Sequence, residues 1–250
     1  MASASQWSED RPGFFRLTVA TTNCYLVKAP DGVTLVDGGL PATGRVLDEL
    51  LRHLGLTRRD IDAVLLTHGH FDHVGLARGL RSDGVPVHVH PGDRRLARHP
   101  YSYRPAVARV PYLFGHPGGL PFIGRMAMAG ALAVRGVDAH LAIHDGETVD
   151  VPGRPTALHT PGHTDGHCAF FFPSQDVLVS GDALVTLDPY TGIGGPQIVA
   201  DAATADAAAS IRSLDVLERT EAAVVLPGHG APWTRGIAAA VQRARIVGRH

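Results

Sequence analysis

The sequence predicts an α/β chain in which two β-sheets lie against each other between outer helices, an αββα sandwich. Three observations carry this. Short apolar and β-branched runs occur in two blocks, each closed by a helical pattern, and the second block echoes the first. Several of these runs end in Gly-rich turns bearing His or Asp, as expected where rigid strands hold functional loops at one end of a sheet. No repeat, low-complexity tract or linker divides the 250 residues, a length that buries a sizeable core in one domain.

In order, Met1 to Asp10 reads as a polar leader, with neither the basic start nor the apolar centre of a signal peptide. Strands are expected at Phe14–Ala20, Cys24–Lys28 and Val33–Val36, the last after the turn Pro30-Asp31-Gly32 and ending in Asp37-Gly38-Gly39. Val46, Leu47, Leu50, Leu51 and Leu54 recur at helical spacing, and Gly55 closes that helix. Ala63–Leu66 is a buried strand, followed by a helix from near His73 to Leu80, a strand at Pro86–His90 and a helix at Asp93–His99.

Between about 100 and 140 the pattern changes. Aromatic residues interleave with prolines, and a helix over Met126–Val134 follows, its extent blurred by Gly124, Gly130 and Gly136. The stretch reads as an insertion. One expectation is a lid or pocket wall in which Tyr101, Tyr103, Tyr112, Phe114, Met126 and Met128 line an apolar site; ordinary core or a contact between two copies explains it equally. Strands resume at Thr148–Val151, Thr156–His159, Ala169–Phe172 and Val177–Ser180. A helix over Ala202–Leu217 follows, with Thr204 as N-cap and Asp206 in its first turn, then a strand at Ala223–Leu226 and a helix at Gly236–Val247.

Composition narrows the function. Lys plus Arg number 23 against 24 Asp plus Glu, a balance that argues against a nucleic-acid binder relying on a basic surface. Cys24 and Cys168, the only cysteines, read as buried small apolar residues. No segment has the roughly eighteen apolar residues of a membrane span. A cytoplasmic protein acting on a small molecule, with no nucleic-acid or membrane partner, is the expectation; a homodimer stays open.

The chemistry gathers at Thr67-His68-Gly69-His70-Phe71-Asp72-His73, directly after the strand Ala63–Leu66. Imidazole and carboxylate are ligands that zinc and similar ions accept, and strand alternation lets His68 and His70 point one way into a site. A surface loop drawing on the 15 histidines of the chain is the plain alternative. Three further strands end alike, in Thr160-Pro161-Gly162-His163, Gly181-Asp182 and Pro227-Gly228-His229-Gly230.

With these motifs in view, the chain from about Asn23 to the last helix resembles the metallo-β-lactamase superfamily. The resemblance implies that His68, His70 and His163 bind one metal and Asp72, His73 and His229 a second, with Asp182 bridging both. It further implies hydrolysis by a metal-bridging hydroxide, the cofactor being two divalent ions, Zn2+ by expectation, with Fe or Mn as alternatives. Asp182 and Asp72 are the catalytic candidates, Asp72 orienting the water or passing a proton. The presence of Asp182 points to the glyoxalase II and lactonase-like branch, hence a small ester, thioester or lactone. An iron-dependent persulfide dioxygenase and a phosphodiesterase are the alternatives on this scaffold. The branch departs at Ala183-Leu184-Val185-Thr186, where similar lactonases have a Tyr; Tyr190 lies further on.

Supporting residues are weighed individually. Asp37 either braces a ligating histidine from behind or caps its own turn. His167 is expected to pack behind the site rather than ligate. His88 and His90, and the arginines at 52, 58, 59, 94, 95 and 98, are explained by solvated or structural positions.

Overall fold

The computed structural model describes residues 6–250; the first five positions of the expected leader lie outside the described residues. The first sheet opens with an antiparallel meander of β1 (Trp7–Arg11), β2 (Phe14–Val19), β3 (Thr22–Ala29) and β4 (Gly32–Val36). It passes through α1 (Thr43–His53) into β5 (Ala63–Leu65), which pairs parallel with β4. After α2 (Ala77–Ser82) and β6 (Val87–Val89) the chain leaves the sheet through α3 (Arg94–Arg98), α4 (Arg109–Gly115) and α5 (Leu120–Met128). It returns in β7 (Leu141–Ala142), paired parallel with β6.

The second sheet contains β8 (Thr156–His159), β9 (Cys168–Phe172) and β10 (Val177–Gly181) in antiparallel order. A small hairpin of β11 (Val185–Leu187) and β12 (Gly194–Gln197) and the helix α6 (Ala207–Glu218) precede β13 (Val224–Pro227), which pairs parallel with β10. Helix α7 (Ile237–Val247) follows.

Alternation along the strands builds the layers. On β4, Leu35 packs toward α1 with Val46, Leu47 and Leu50, while Val36 faces the second sheet. On β9 and β10, Phe170, Phe172, Val177 and Val179 meet Phe14, Tyr25 and Leu65 between the sheets. Ala169 and Leu178 turn outward onto Leu214 and Leu217 of α6 and Ile237 and Val241 of α7. This is the αββα sandwich the sequence predicts. No helix among the described residues is long and apolar enough to cross a membrane.

Some expectations are corrected. Trp7–Arg11 is not leader but an edge strand, held across to β2 by Arg16, whose Nε donates to Asp10 at 2.8 Å. Thr148–Val151 forms no strand; only an isolated bridge joins Thr148 to Thr156. The helix expected over Met126–Val134 lies earlier, at Leu120–Met128. Pro121 sits in its first turn, where a missing N–H costs nothing, and Gly130 at φ +95° follows its end. The N-cap of α6 is Asp206, which accepts the Ala209 N–H at 2.9 Å, not Thr204.

Candidate metal centre

Strand ends in both sheets deliver the candidate residues to one place. Asp37 follows β4, residues 67–73 follow β5, His163 follows β8, Asp182 follows β10 and His229 follows β13. All of these residues are buried except Phe71, which is half-buried. Their ligand atoms form three overlapping clusters, each within 4.8 Å: His68, His70 and His163; His68, His73 and Asp182; Asp72, His73 and His229. The expected half-sites are thus brought together, with Asp182 between them. Asp182 Oδ2 lies 3.4 Å from His163 Nε2 and 3.3 Å from His229 Nε2, and Oδ1 lies 3.6 Å from His73 Nε2.

The hydrogen-bond network fixes which nitrogens face inward. His73 Nδ1 donates to Asp37 Oδ2 at 2.8 Å. The Thr67 hydroxyl donates to the same oxygen at 2.8 Å and accepts from His68 Nδ1 at 3.0 Å. His229 Nδ1 donates to the Thr21 carbonyl at 3.1 Å. The Thr204 hydroxyl donates to Val199 O at 2.8 Å and so accepts from His163 Nδ1 at 3.4 Å. Four histidines therefore turn their Nε2 atoms toward the centre, where His70 presents Nδ1, 2.9 Å from His163 Nε2. The Nε2 atoms of His68, His70 and His73 and Oδ1 of Asp182 are buried without a hydrogen-bond partner. Imidazole nitrogens and carboxylate oxygens buried this close together, several without a hydrogen-bond partner, are costly unless a cation supplies the missing interactions. The donor set fits divalent metal ions.

The electrostatics agree. Burial holds His68 and His70 well below the usual imidazole range and His163 at about 4, so all three imidazoles are neutral at pH 7. Burial works the same way on His73, but Asp182, Asp37 and Asp72 outweigh it and push it up to about 9. His229 is raised likewise by Asp182 and Asp72. Asp182 stays well below the carboxylate range despite its burial, because His229, His73 and His163 face it.

Asp37 takes the bracing role rather than capping its own turn. It sits at φ +63° and also accepts the Thr67 amide at 2.8 Å, binding β4 to the histidine loop. His167 packs behind the centre: Nδ1 meets the Thr160 hydroxyl at 2.8 Å and Nε2 accepts the Asp182 amide at 3.0 Å. His90 stacks on His159 at 4.2 Å, and neither His88 nor His90 joins a ligand cluster.

Over the centre lies a chamber of about 20 Å3, lined by His70, Asp72, Asp182 and His229 with Phe71, Tyr103, Ile123, Met126 and Tyr190 among its walls. That is room for about one water. A second cavity of about 370 Å3 adjoins it, sharing Tyr103 and His163 and flanked by Arg95 and Arg104. The aromatic expectation holds for Tyr103 and Met126 and fails elsewhere: Phe114 and Met128 are 85% and 83% exposed. Tyr103 lies against His70, ring centroids 3.9 Å apart, with Arg109 over its ring at 4.0 Å and its hydroxyl 3.5 Å from that of Tyr190. Burial raises both phenols above their usual range, leaving them neutral donors. Asp93, read from sequence only as the start of a helix, proves to be buried against two of the ligand loops.

Known proteins resemble this chain in sequence and fold. The family model described as the metallo-beta-lactamase superfamily matches residues 17–229. The probable metallo-hydrolase YflN of Bacillus subtilis (strain 168) is 30% identical over 242 residues, covering 90% of this chain and 87% of its own. An uncharacterized protein of Mycobacterium tuberculosis, Rv2581c, is also 30% identical, over 86% of this chain and 88% of its own. The metallo-beta-lactamase family protein TTHA1429 of Thermus thermophilus superposes with a TM-score of 0.68 at 29% identity, over 95% of this chain and 78% of that one. TTHA1623, solved in a di-iron-bound form, gives 0.61 at 29% identity over 90% and 95%. Two stacked sheets, four strand ends bearing candidate ligands and the match along most of the sequence lead to one assignment: the chain belongs to the metallo-beta-lactamase superfamily.

Proposed function

We propose that this chain is a dinuclear metal-dependent hydrolase of a small ester, thioester or lactone. The observation that carries the reading is the convergence of buried imidazole and carboxylate groups, several of their polar atoms without a hydrogen-bond partner, on the floor of a small chamber with largely apolar walls. In this reading His68, His70 and His163 hold one divalent cation, Asp72, His73 and His229 hold the other, and Asp182 reaches both. So held, two divalent cations would supply Lewis acidity and lower the pKa of water toward neutrality.

The chain's own residues supply the rest. Asp72, kept below its ordinary range by His73 and His229 against the effect of burial, stays ionised and orients the attacking water or receives a proton. The Tyr103 and Tyr190 hydroxyls, fixed at the chamber wall, donate to the oxygen on which charge develops. Phe71, Ile123 and Met126 exclude bulk water, which strengthens each of these interactions. The chamber admits only a small reacting group, so the remainder of a substrate extends into the adjoining cavity of about 370 Å3.

Zinc remains the expected metal; the di-iron form of TTHA1623 makes iron a second reading of the same ligands. The complete second cluster counts against a mononuclear persulfide dioxygenase. A panel of esters, thioesters, lactones and phosphodiesters, assayed on protein reconstituted with Zn2+ and with Fe2+, tests the proposal. Hydrolysis of an acyl substrate that EDTA abolishes supports it, and turnover of phosphodiesters alone rejects the substrate class.

A further inference from the structure

Asp37 supports the His73 side of the centre, and the His68, His70 and His163 side has a carboxylate of its own behind it. Asp93 is 1% exposed and lies in the turn Pro91–Asp93 between β6 and α3. Its Oδ2 accepts the Gly69 amide at 2.8 Å and the Thr164 hydroxyl at 2.8 Å, and its Oδ1 accepts the Gly166 amide at 2.8 Å. Gly69 sits between His68 and His70; Thr164 follows His163 directly. One side chain from the first sheet thus grips the tips of two ligand loops that belong to different sheets.

The packing around it leaves no space for another arrangement. A Cβ on Gly69 would stand 2.5 Å from the Ala97 amide nitrogen, and a Cβ on Gly166 only 2.4 Å from that of Asp93. The His68–His70 loop therefore lies backbone to backbone on the second half of α3 and the His163 loop on the turn before it, close enough for a short carboxylate to reach both. At their bases the loops are joined independently, the Cys168 amide donating to Thr67 O at 2.8 Å. The Asp93 contacts act at the ligand-bearing tips.

We propose that Asp93 is a positioning residue that holds the His68–His70 and His163 loops at the separation one cation requires, and so sets the affinity for that cation alone. This rests on the two-cation reading of the centre. Asp93 touches neither substrate nor metal; it acts through Gly69, Thr164 and Gly166, as Asp37 acts through His73. Asp37 backs His73 directly and His68 through the Thr67 hydroxyl, whereas Asp93 ties together the two loops that carry His68, His70 and His163.

Stepwise Co2+ titration of the full-length protein tests this, followed by calorimetry and by the visible spectrum, with thermal melting in parallel. The variants are Asp93→Asn, Thr164→Val and Asp37→Asn. Asp93→Asn keeps size but loses charge, and its amide turns a donor toward donors. It is expected to bind one Co2+ as the wild type does and the other about 10- to 100-fold more weakly. Thr164→Val, which removes one of the three contacts and keeps the carboxylate, weakens the same ion less. Asp37→Asn, which loosens His73 directly and His68 through Thr67, weakens the opposite ion as well, so the order in which Co2+ is lost differs between the two Asp→Asn variants.

The proposal is overturned if Asp93→Asn binds both ions like the wild type, or loses both in step with its melting temperature. Should Asp93→Asn fail to fold, an unchanged titration of Thr164→Val overturns it equally. No substrate enters the assay. Wild type that binds two ions yet hydrolyses nothing removes the proposed function and leaves the Asp93 result standing; wild type that binds fewer than two removes both.

Discussion

Asp37 Oδ2 accepts the Nδ1–H of His73 at 2.8 Å, so a residue at the end of one strand sets the tautomer and orientation of a histidine in the loop after the next. The Asp37 backbone is left-handed at φ +63°, a conformation Asn also tolerates. Asp37→Asn is therefore expected to keep the fold and lower metal affinity about 10- to 100-fold. Activity measured against added Zn2+ should recover at high concentration, whereas a folding defect would not.

Metal uptake should expel protons. In metal-free protein His73, raised to about 9, and His229, raised above its usual range, carry protons at pH 7 that a cation displaces. Calorimetry in buffers of differing ionisation enthalpy should show proton release. Apparent affinity should fall about tenfold per pH unit for each proton displaced.

The same shift affects metal-free stability. A histidine raised on folding from 6.5 to about 9 stabilises fully below pH 6.5, and that contribution is lost as pH rises through 9. Melting of the metal-free protein should therefore drop between pH 7 and 9.5, and the drop should shrink in His73→Ala.

The phenols offer a test that leaves the metals in place. Tyr190→Phe or Tyr103→Phe removes a hydroxyl from the chamber wall without touching a ligand. Loss of a donor to developing charge costs about 10²- to 10³-fold in kcat. Metal content should be unchanged, and an effect confined to KM would assign the hydroxyls to binding alone.

A stability effect is expected further from the metals. His250 Nε2 donates to the buried Asp188 Oδ2 at 3.0 Å, while Asp188 Oδ1 accepts the Tyr190 amide at 2.8 Å. The pairing with Asp188 raises His250 against the effect of its partial burial. Its contribution is full below pH 6.5 and fades as pH climbs through the raised value. The melting difference between wild type and His250→Ala should be largest at pH 6 and diminish toward alkaline pH.

The order of sheets and the ligand loops could be read from sequence because both rest on local pattern. Ala63–Leu65 and Val224–Pro227 are apolar runs ending in His-bearing turns, and α1 has a regular apolar face. What escaped depends on contacts distant in sequence. Trp7–Arg11 is polar enough to pass for a leader until Arg16 pairs with Asp10 across the edge of the sheet. Asp93 looks like an ordinary helix-start residue, since nothing in its neighbourhood announces that Gly69 and Gly166 will fold back onto it. Residues 100–140 mislead through composition. An aromatic or methionine there faces the chamber or the solvent according to the turns between α3, α4 and α5, and the prolines and glycines obscure those turns.

The central claim is that two divalent cations bound by these seven residues make the chain a hydrolase. Metal analysis of the purified protein beside that of Asp182→Ala, with hydrolysis of the active panel substrate measured on both, tests it most directly. The account predicts two metal ions per wild-type chain, loss of at least one in the variant, and loss of hydrolysis with it. A single ion in active wild type, or full activity in Asp182→Ala, would contradict it.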